Sequence, residues 1–228
     1  MSGRRVPSRP RLLAALLLLG PACRVDEAGD TGDTDVASTS TDTTTATTAP
    51  ISTGDATTGD ATTGEPESTI WDTPYCHPVK DGPGWPPALR AWEEEVVRLV
   101  NEARAKGADC DTMGKLGPTG PLTMNASLRC AARRHSQDMN NRNFFDHINP
   151  DGEDPFDRIL AAGYGSYAQA GENIAGGSDT PEVTVAGWIE SDGHCANLMS
   201  PGYTEIGVGA YEGLGDYTYY WTQTFASP

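Results

Sequence analysis

The chain has 228 residues, a formal net charge of −16 and five cysteines. So acidic a balance excludes nucleic acid as a natural partner, because a phosphate backbone is bound through an excess of Lys and Arg. The length allows one ordinary domain plus appended segments, and it is in the appended segments that the composition first departs from a globular average.

Arg4, Arg5, Arg9 and Arg11 precede the apolar run Leu12 to Leu19, and small residues then lead to Cys23. This is the layout of a bacterial export signal over residues 1–23. The apolar run is far too short to cross a hydrocarbon core of about 30 Å as a helix. Cys23 stands where a lipoprotein peptidase would leave an acylated cysteine, but Gly20-Pro21-Ala22 is a poor lipobox, with Leu four rather than three residues ahead. Two readings of Cys23 stand: a lipid anchor, or an incidental residue of a freely secreted protein. Setting Cys23 aside leaves Cys76, Cys110, Cys130 and Cys195, an even set suited to disulfides in an oxidising compartment. Arg4-Arg5 also fits a twin-arginine signal, against which Val6-Pro7 argues.

Residues 24–70 are built from Thr, Asp, Gly, Ser and Ala, and Thr53-Gly54-Asp55-Ala56-Thr57 recurs as Thr58-Gly59-Asp60-Ala61-Thr62. Between positions 26 and 70 there are ten acidic residues and no Lys or Arg. A segment with so little apolar surface cannot offset its chain entropy, and its charge extends it, so it is read as a disordered acidic tether. Its spacing does not follow the repeat of calcium-binding β-rolls.

Residues 71–228 form the domain. Leu89, Trp92, Val96, Leu99, Val100 and Ala103 fall at helical spacing, with Glu93-Glu94-Glu95 suited to the positive end of the helix dipole. A second helix is expected over about 126–140, with Asn125 as N-cap and Leu128, Ala132, His135 and Met139 on its inner stripe. A shorter helix spans Pro155 to Ala162, and a fourth begins at Thr180-Pro181, where Thr caps and Pro opens the first turn. After Pro201 the residues become β-branched and aromatic over 205–211 and 217–225, with Gly213-Leu214-Gly215-Asp216 between them, which reads as a hairpin. Helices first and strands last make the fold class α+β.

Three blocks carry polar side chains among residues that set backbone shape: Asn143-Phe144-Phe145-Asp146-His147, Gly171-Glu172-Asn173-Ile174-Ala175, and Gly187-Trp188-Ile189-Glu190-Ser191-Asp192-Gly193-His194. With Tyr203-Thr204-Glu205-Ile206-Gly207-Val208-Gly209 and Tyr220-Trp221-Thr222-Gln223-Thr224-Phe225, the stretch from about 91 to 226 resembles the bacterial branch of the CAP (SCP/TAPS, pathogenesis-related-1-like) superfamily. The resemblance implies a three-layer α/β/α sandwich, disulfides pairing Cys110 with Cys195 and Cys76 with Cys130, and a cleft lined by His147, Glu172 and His194. By cysteine count alone, three pairings remain open.

Two imidazoles and a carboxylate suit a divalent metal such as zinc, making His147, His194 and Glu172 the candidate ligands. The second cleft Glu of the family pattern is missing. Ser191 stands in its place, and Glu190, one residue earlier, is rotated about 100° away on a regular helix unless the helix is ending there. Glu190 is thus a weak further candidate for the cleft. Against these readings, Glu172 could bond local backbone in a turn shaped by Gly171 and Asn173, and His147 and His194 could anchor loops. His135 is read as packed rather than ligating, and His77 has no functional context. Asp151, Glu153, Asp154 and Asp157 lack the ligand order of a calcium loop and read as a loop entering a helix. Common nucleophile-elbow, zincin, phosphate-loop and Cys-x-x-Cys motifs are absent.

Three functions follow. The first is an extracellular binding module offering its cleft to a lipid, peptide or envelope component, touching a membrane only through an anchor at Cys23. The second is a metal-dependent hydrolase with Glu172 as base. The third is a purely structural surface protein.

Overall fold

The computed structural model describes residues 67–228 and, upstream of them, the dipeptide Cys23–Arg24. Apart from that dipeptide and the last four residues of the expected tether, 67–70, which are helical rather than disordered, the expected leader and tether lie outside the described residues, as does the Cys23 side chain. Cys23–Arg24 (β1) runs parallel to Ala175–Gly176 of a longer strand, β5, described below. Among the described residues no helix is long and apolar enough to cross a membrane.

After a short helix at Glu67–Ile70 (α1), the first long helix is Pro87–Lys106 (α2). Two prolines open it, Pro86 at the cap and Pro87 in the first turn, and it stops at Gly107, whose φ of 81° few other residues adopt. A minor two-stranded ribbon follows, Ala108–Asp109 (β2) against Lys115–Leu116 (β3). Thr123–Met124 (β4) then leads into Ala126–Arg142 (α3), where the Asn125 side chain accepts from the amides of Ser127 and Leu128 as expected. Next come Pro155–Ala161 (α4), Gln169–Gly176 (β5), Pro181–Ile189 (α5), Asp192–Met199 (α6), Glu205–Glu212 (β6) and Tyr219–Ser227 (β7).

The main sheet has the order β1-β5-β7-β6-β4, with β5, β7 and β6 antiparallel. Strand alternation sorts its side chains to two faces. Glu172, Ile174, Thr222, Thr224 and Tyr220 fall on one face with Gly207 and Gly209, and α3 lies directly on it. A Cβ at Gly207 would stand 2.0 Å from the Leu128 carbonyl carbon, and one at Gly209 would stand 2.4 Å from the Arg133 nitrogen. These two glycines let a helix backbone rest on the sheet. The opposite face carries Asn173, Val208, Ala210, Trp221, Gln223 and Phe225, and α2, α5 and α6 gather over it, with Trp92 of α2 stacked on Trp221. The result is the α+β, three-layer sandwich, stapled by Cys76–Cys130 and Cys110–Cys195.

Glu93 departs from its expected role. It lies beyond the first turn of α2, where the dipole is strongest, and is a fully buried carboxylate. It accepts from Trp85 Nε1 at 2.7 Å, Arg129 Nε at 2.7 Å, Arg133 Nη2 at 2.7 Å and the amide of Ala210 at 3.3 Å. β4 covers β6 only at Glu205 and Ile206, so the amide of Ala210 faces the open edge of the sheet. Glu93 reaches that edge from α2 while its cationic partners come from α3, and one carboxylate thus joins both helical layers to the sheet between them. Arg133 also donates to the Val79 carbonyl at 2.9 Å and pairs with Asp81 at 2.7 Å, drawing residues 79–85 onto the domain.

Replacing Glu93 with Ala would leave two buried guanidiniums without their shared anion, and such losses cost about 3–5 kcal/mol. The expected outcome for Glu93→Ala is a loss of that size in urea-induced unfolding. A loss below about 1 kcal/mol, within the range of an exposed ion pair, would refute the role.

Candidate functional site

The candidate site is assembled around β5. Glu172 and Asn173 are consecutive on a strand and therefore point to opposite faces. Each recruits one of the two histidines.

On the α3 face, the Glu172 carboxylate is buried and fully engaged. Arg158 Nη2 donates to its two oxygens at 3.0 and 2.9 Å, and the ring of His147 meets Oε1 through Nδ1 at 2.9 Å. Arg158 comes from α4, which a capping box formed by Asp154 and Asp157 fixes at its start. Its guanidinium also holds the loop carrying His147, donating to the carbonyls of His147 at 2.8 Å and Glu153 at 3.0 Å. Burial alone would push the Glu172 carboxyl up, but Arg158, His135 and His147 outweigh it and hold it at about 2. A carboxylate accepts only, so His147 donates Nδ1–H to it, with Nε2 on the far side of the ring. That Nε2 is buried and has no hydrogen-bond partner.

His135 is completely buried on α3, as its stripe implied, with Nε2 at 3.0 Å from the Asp146 carbonyl and 3.7 Å from Glu172. Burial lowers its pKa to about 4. It packs and supports; the carbonyl fixes its proton on Nε2.

On the other face, His194 sits in the first turn of α6. This helix was not expected, since Asp192-Gly193 reads as a break. The chain does break there, with Glu190 ending α5, but Ser191 immediately starts a new helix. His194 Nδ1 lies 2.8 Å from Ser191 Oγ, its carbonyl accepts from Asn173 Nδ2 at 3.1 Å, and the next residue is locked by the Cys110–Cys195 disulfide. Asn197 adds bonds to the Glu172 carbonyl at 3.3 Å and to Asn173 Oδ1 at 3.1 Å. At the far end of α6, Arg104 gathers the carbonyls of Leu198 at 2.8 Å and Ser200 at 2.9 Å. His194 Nε2 is likewise buried without a partner. Burial, and then the proximity of His147, lowers the His194 pKa to about 4, so it is a neutral imidazole at physiological pH.

The structure therefore gathers His147, Glu172 and His194 around one strand and leaves Glu190 exposed at the end of α5. Where the sequence placed Glu172 among metal ligands, both its oxygens are instead held by Arg158 and His147. Among the described residues no group of three His, Cys, Asp or Glu is arranged to hold a metal ion. Two imidazole nitrogens remain without partners, of a kind that accepts a hydrogen bond or coordinates a cation, with Glu172 orienting one of them. A carboxyl held at about 2 is a weak proton acceptor near neutral pH, which makes Glu172 poorly suited to the work of a general base. Arg158 is the member that sequence reasoning missed. Its signal was faint: one Arg beside Ile159 on the inward side of a short helix.

The model of the CAP family, described as the cysteine-rich secretory protein family, matches residues 97–225. An uncharacterized protein of Bacillus subtilis (strain 168), YkwD, is 40% identical over 140 residues, covering 61% of this chain and 49% of its own length. An uncharacterized membrane protein of the same organism, YlbC, is 40% identical over 141 residues, covering 62% of this chain and 36% of its own. The chain thus spans about half or less of the length of these curated relatives. Among solved structures, an extracellular protein containing an SCP domain from Bacillus anthracis str. Ames superposes with a TM-score of 0.52 at 26% identity, covering 65% of this chain and 45% of that one.

The pKa shifts set an acid limit on stability. His135 binds its proton near 4 when folded and 6.5 otherwise, so its contribution is complete above 6.5 and is lost as pH falls through 4. Glu172, at about 2 against 4.5, adds a second loss below pH 4.5. Unfolding free energy is expected to be flat from pH 8 to 7 and to fall between 6.5 and 4. His135→Gln should remove up to about 1.4 kcal/mol per pH unit of that slope. An unchanged slope in the variant, read from urea titrations at each pH, would overturn the assignment.

Proposed function

We propose, for a chain that belongs to the cysteine-rich secretory protein family, that it is an exported binding module whose site is the pair of open imidazoles of His147 and His194. The observation that carries this reading is their two buried Nε2 atoms without hydrogen-bond partners. Buried polar atoms are nearly always paired, and two unpaired nitrogens beside one strand, near enough for His147 to act on His194, call for a ligand. Glu172 and Ser191 hold the opposite ring nitrogens, so little reorganisation is needed when one binds.

A divalent cation fits this donor chemistry. His147 with Glu172 behind it is the carboxylate–histidine arrangement used to orient metal ligands. Zinc, when bound, would be held by His147 and His194 and would offer its remaining positions to an oxygen or nitrogen of the ligand. Two imidazoles fall short of the three protein ligands of hydrolytic zinc sites, and Glu172 is committed to Arg158, so the reading favoured is a binder over a hydrolase. The ligand class is a lipid, peptide or envelope component with a polar group that meets the imidazoles.

Export is supported by the Arg-rich leader, the apolar run behind it and the two disulfides, which persist in oxidising compartments. The acidic tether would hold the domain away from its attachment, through Cys23 where that residue is acylated.

Native mass spectrometry of the full chain, produced in an oxidising compartment and given zinc, tests the site. One retained zinc is expected in the parent, and none in His147→Ala, His194→Ala, with circular dichroism unchanged. Equal zinc retention by the double variant would refute the site.

A further inference from the structure

A cavity of about 310 Å³ opens beside the site and shares only Arg158 with it. Its wall is one stripe of α3, Arg134, Asp138 and Arg142, each four residues after the last, faced by the 149–153 loop and by Tyr75. Most of these charges are already matched. Arg142 pairs with both Asp138 and Asp151. Asn149, buried, uses its side-chain oxygen on the amides of Asp151 at 3.0 Å and Glu153 at 2.9 Å, which fixes the loop.

Two opposite charges are left over. The Arg134 guanidinium lies over the Tyr75 ring, 5.3 Å from its centroid, and takes part in none of the ion pairs described. The Glu153 carboxylate, exposed at the rim, accepts from the neutral Asn149 amide at 2.7 Å and likewise is in no ion pair among the described residues. Both lie close enough to Tyr75 to act on its phenol, yet they are not joined to each other. The cavity also carries an unanswered donor. Arg158 is 3% exposed, both its Nη groups donate, to Glu172 and to carbonyls, and its Nε–H has no partner. A lone buried N–H of this kind needs an acceptor.

We propose that this cavity binds a compact zwitterion of the α-amino-acid type, its carboxylate taken by Arg158 Nε–H and Arg134 and its ammonium by Glu153. A plain anion would meet the uncompensated Glu153, and a plain cation would meet Arg134. Only a ligand carrying both charges answers both and also fills the donor on Arg158. The volume suits an amino acid or a short chain end bearing both groups. This site does not rest on the imidazole pair.

The test is an NMR titration of the 15N-labelled full chain, following the Arg158 Nε–H resonance. The probes are alanine, propionate as the carboxylate alone and ethylamine as the ammonium alone. Alanine is expected to shift the resonance saturably, with propionate and ethylamine at least tenfold weaker. Arg134→Gln and Glu153→Gln, both altering the rim of a cavity whose floor is intact, should each weaken alanine at least tenfold while the remaining amide spectrum stays in place. No saturable shift with alanine, equal shifts with all three probes, or full alanine affinity in Arg134→Gln would overturn the proposal and assign the donor to water alone.

Discussion

The fold depends on one buried carboxylate. Isolated in the core, an ionised Glu93 would be prohibitively costly, and Arg129 and Arg133 would be no cheaper. Together they are tolerable, because each supplies the counter-charge and hydrogen bonds that the others lost with water. The geometry in which all three are satisfied is narrow. It requires α2 on one face, α3 on the other and the open edge of β6 between them, since the amide of Ala210 takes part. An apolar cluster could bury similar area with α3 shifted along the sheet, whereas this network accepts one register. Gly207 and Gly209 then allow the close approach that the register demands.

The same device recurs at the candidate site with a different remainder. Glu172 is also a buried carboxylate beside a guanidinium, but its second partner is an imidazole rather than a second Arg. An Arg in that place would close the network, as Arg129 and Arg133 do around Glu93. An imidazole has two nitrogens on opposite sides of the ring, so satisfying one leaves the other open. His194 repeats this with Ser191 as the inner partner. Rigid surroundings make the open nitrogens useful. The Cys110–Cys195 disulfide at the start of α6 and Arg104 at its end hold that helix, while Arg158 holds the His147 loop. A ligand bound there would pay little ordering entropy.

The sequence carried the local features well. Asn125, Thr180 and the Asp154 to Asp157 turn announce their helices because capping is a short-range event between neighbouring residues. The final hairpin is legible for the same reason, through its aromatic and β-branched alternation. β5 is harder to read: Gly171, Asn173 and Gly176 are turn residues by propensity, and it is pairing with β7 along its whole length that makes them a strand. The burial of Glu93 is also harder to read: its place four after Leu89 and three before Val96 puts it on the inner stripe of α2, but the guanidiniums that make a buried carboxylate tolerable come from α3. The histidine and glutamate blocks of the site were visible through their resemblance to a family. The contacts they make were not, since both Glu172 oxygens are held by Arg158, a residue with no motif of its own.

Arg158 is also where the two candidate sites meet. Its Nη2 holds Glu172 and the His147 carbonyl, its Nη1 holds the Glu153 carbonyl, and its unpartnered Nε–H is the donor proposed for the cavity ligand. A guanidinium is a rigid plane, so a ligand that pulls on Nε acts on Nη2 without a flexible joint between them. Glu172 sets the proton position of His147, and His147 in turn acts on His194. An anionic group bound in the cavity would share the charge of Arg158 and leave Glu172 less neutralised, making it a stronger acceptor for the Nδ1–H of His147. Any such effect is reciprocal: whatever the cavity ligand adds to affinity at the imidazoles, a ligand at the imidazoles returns to the cavity.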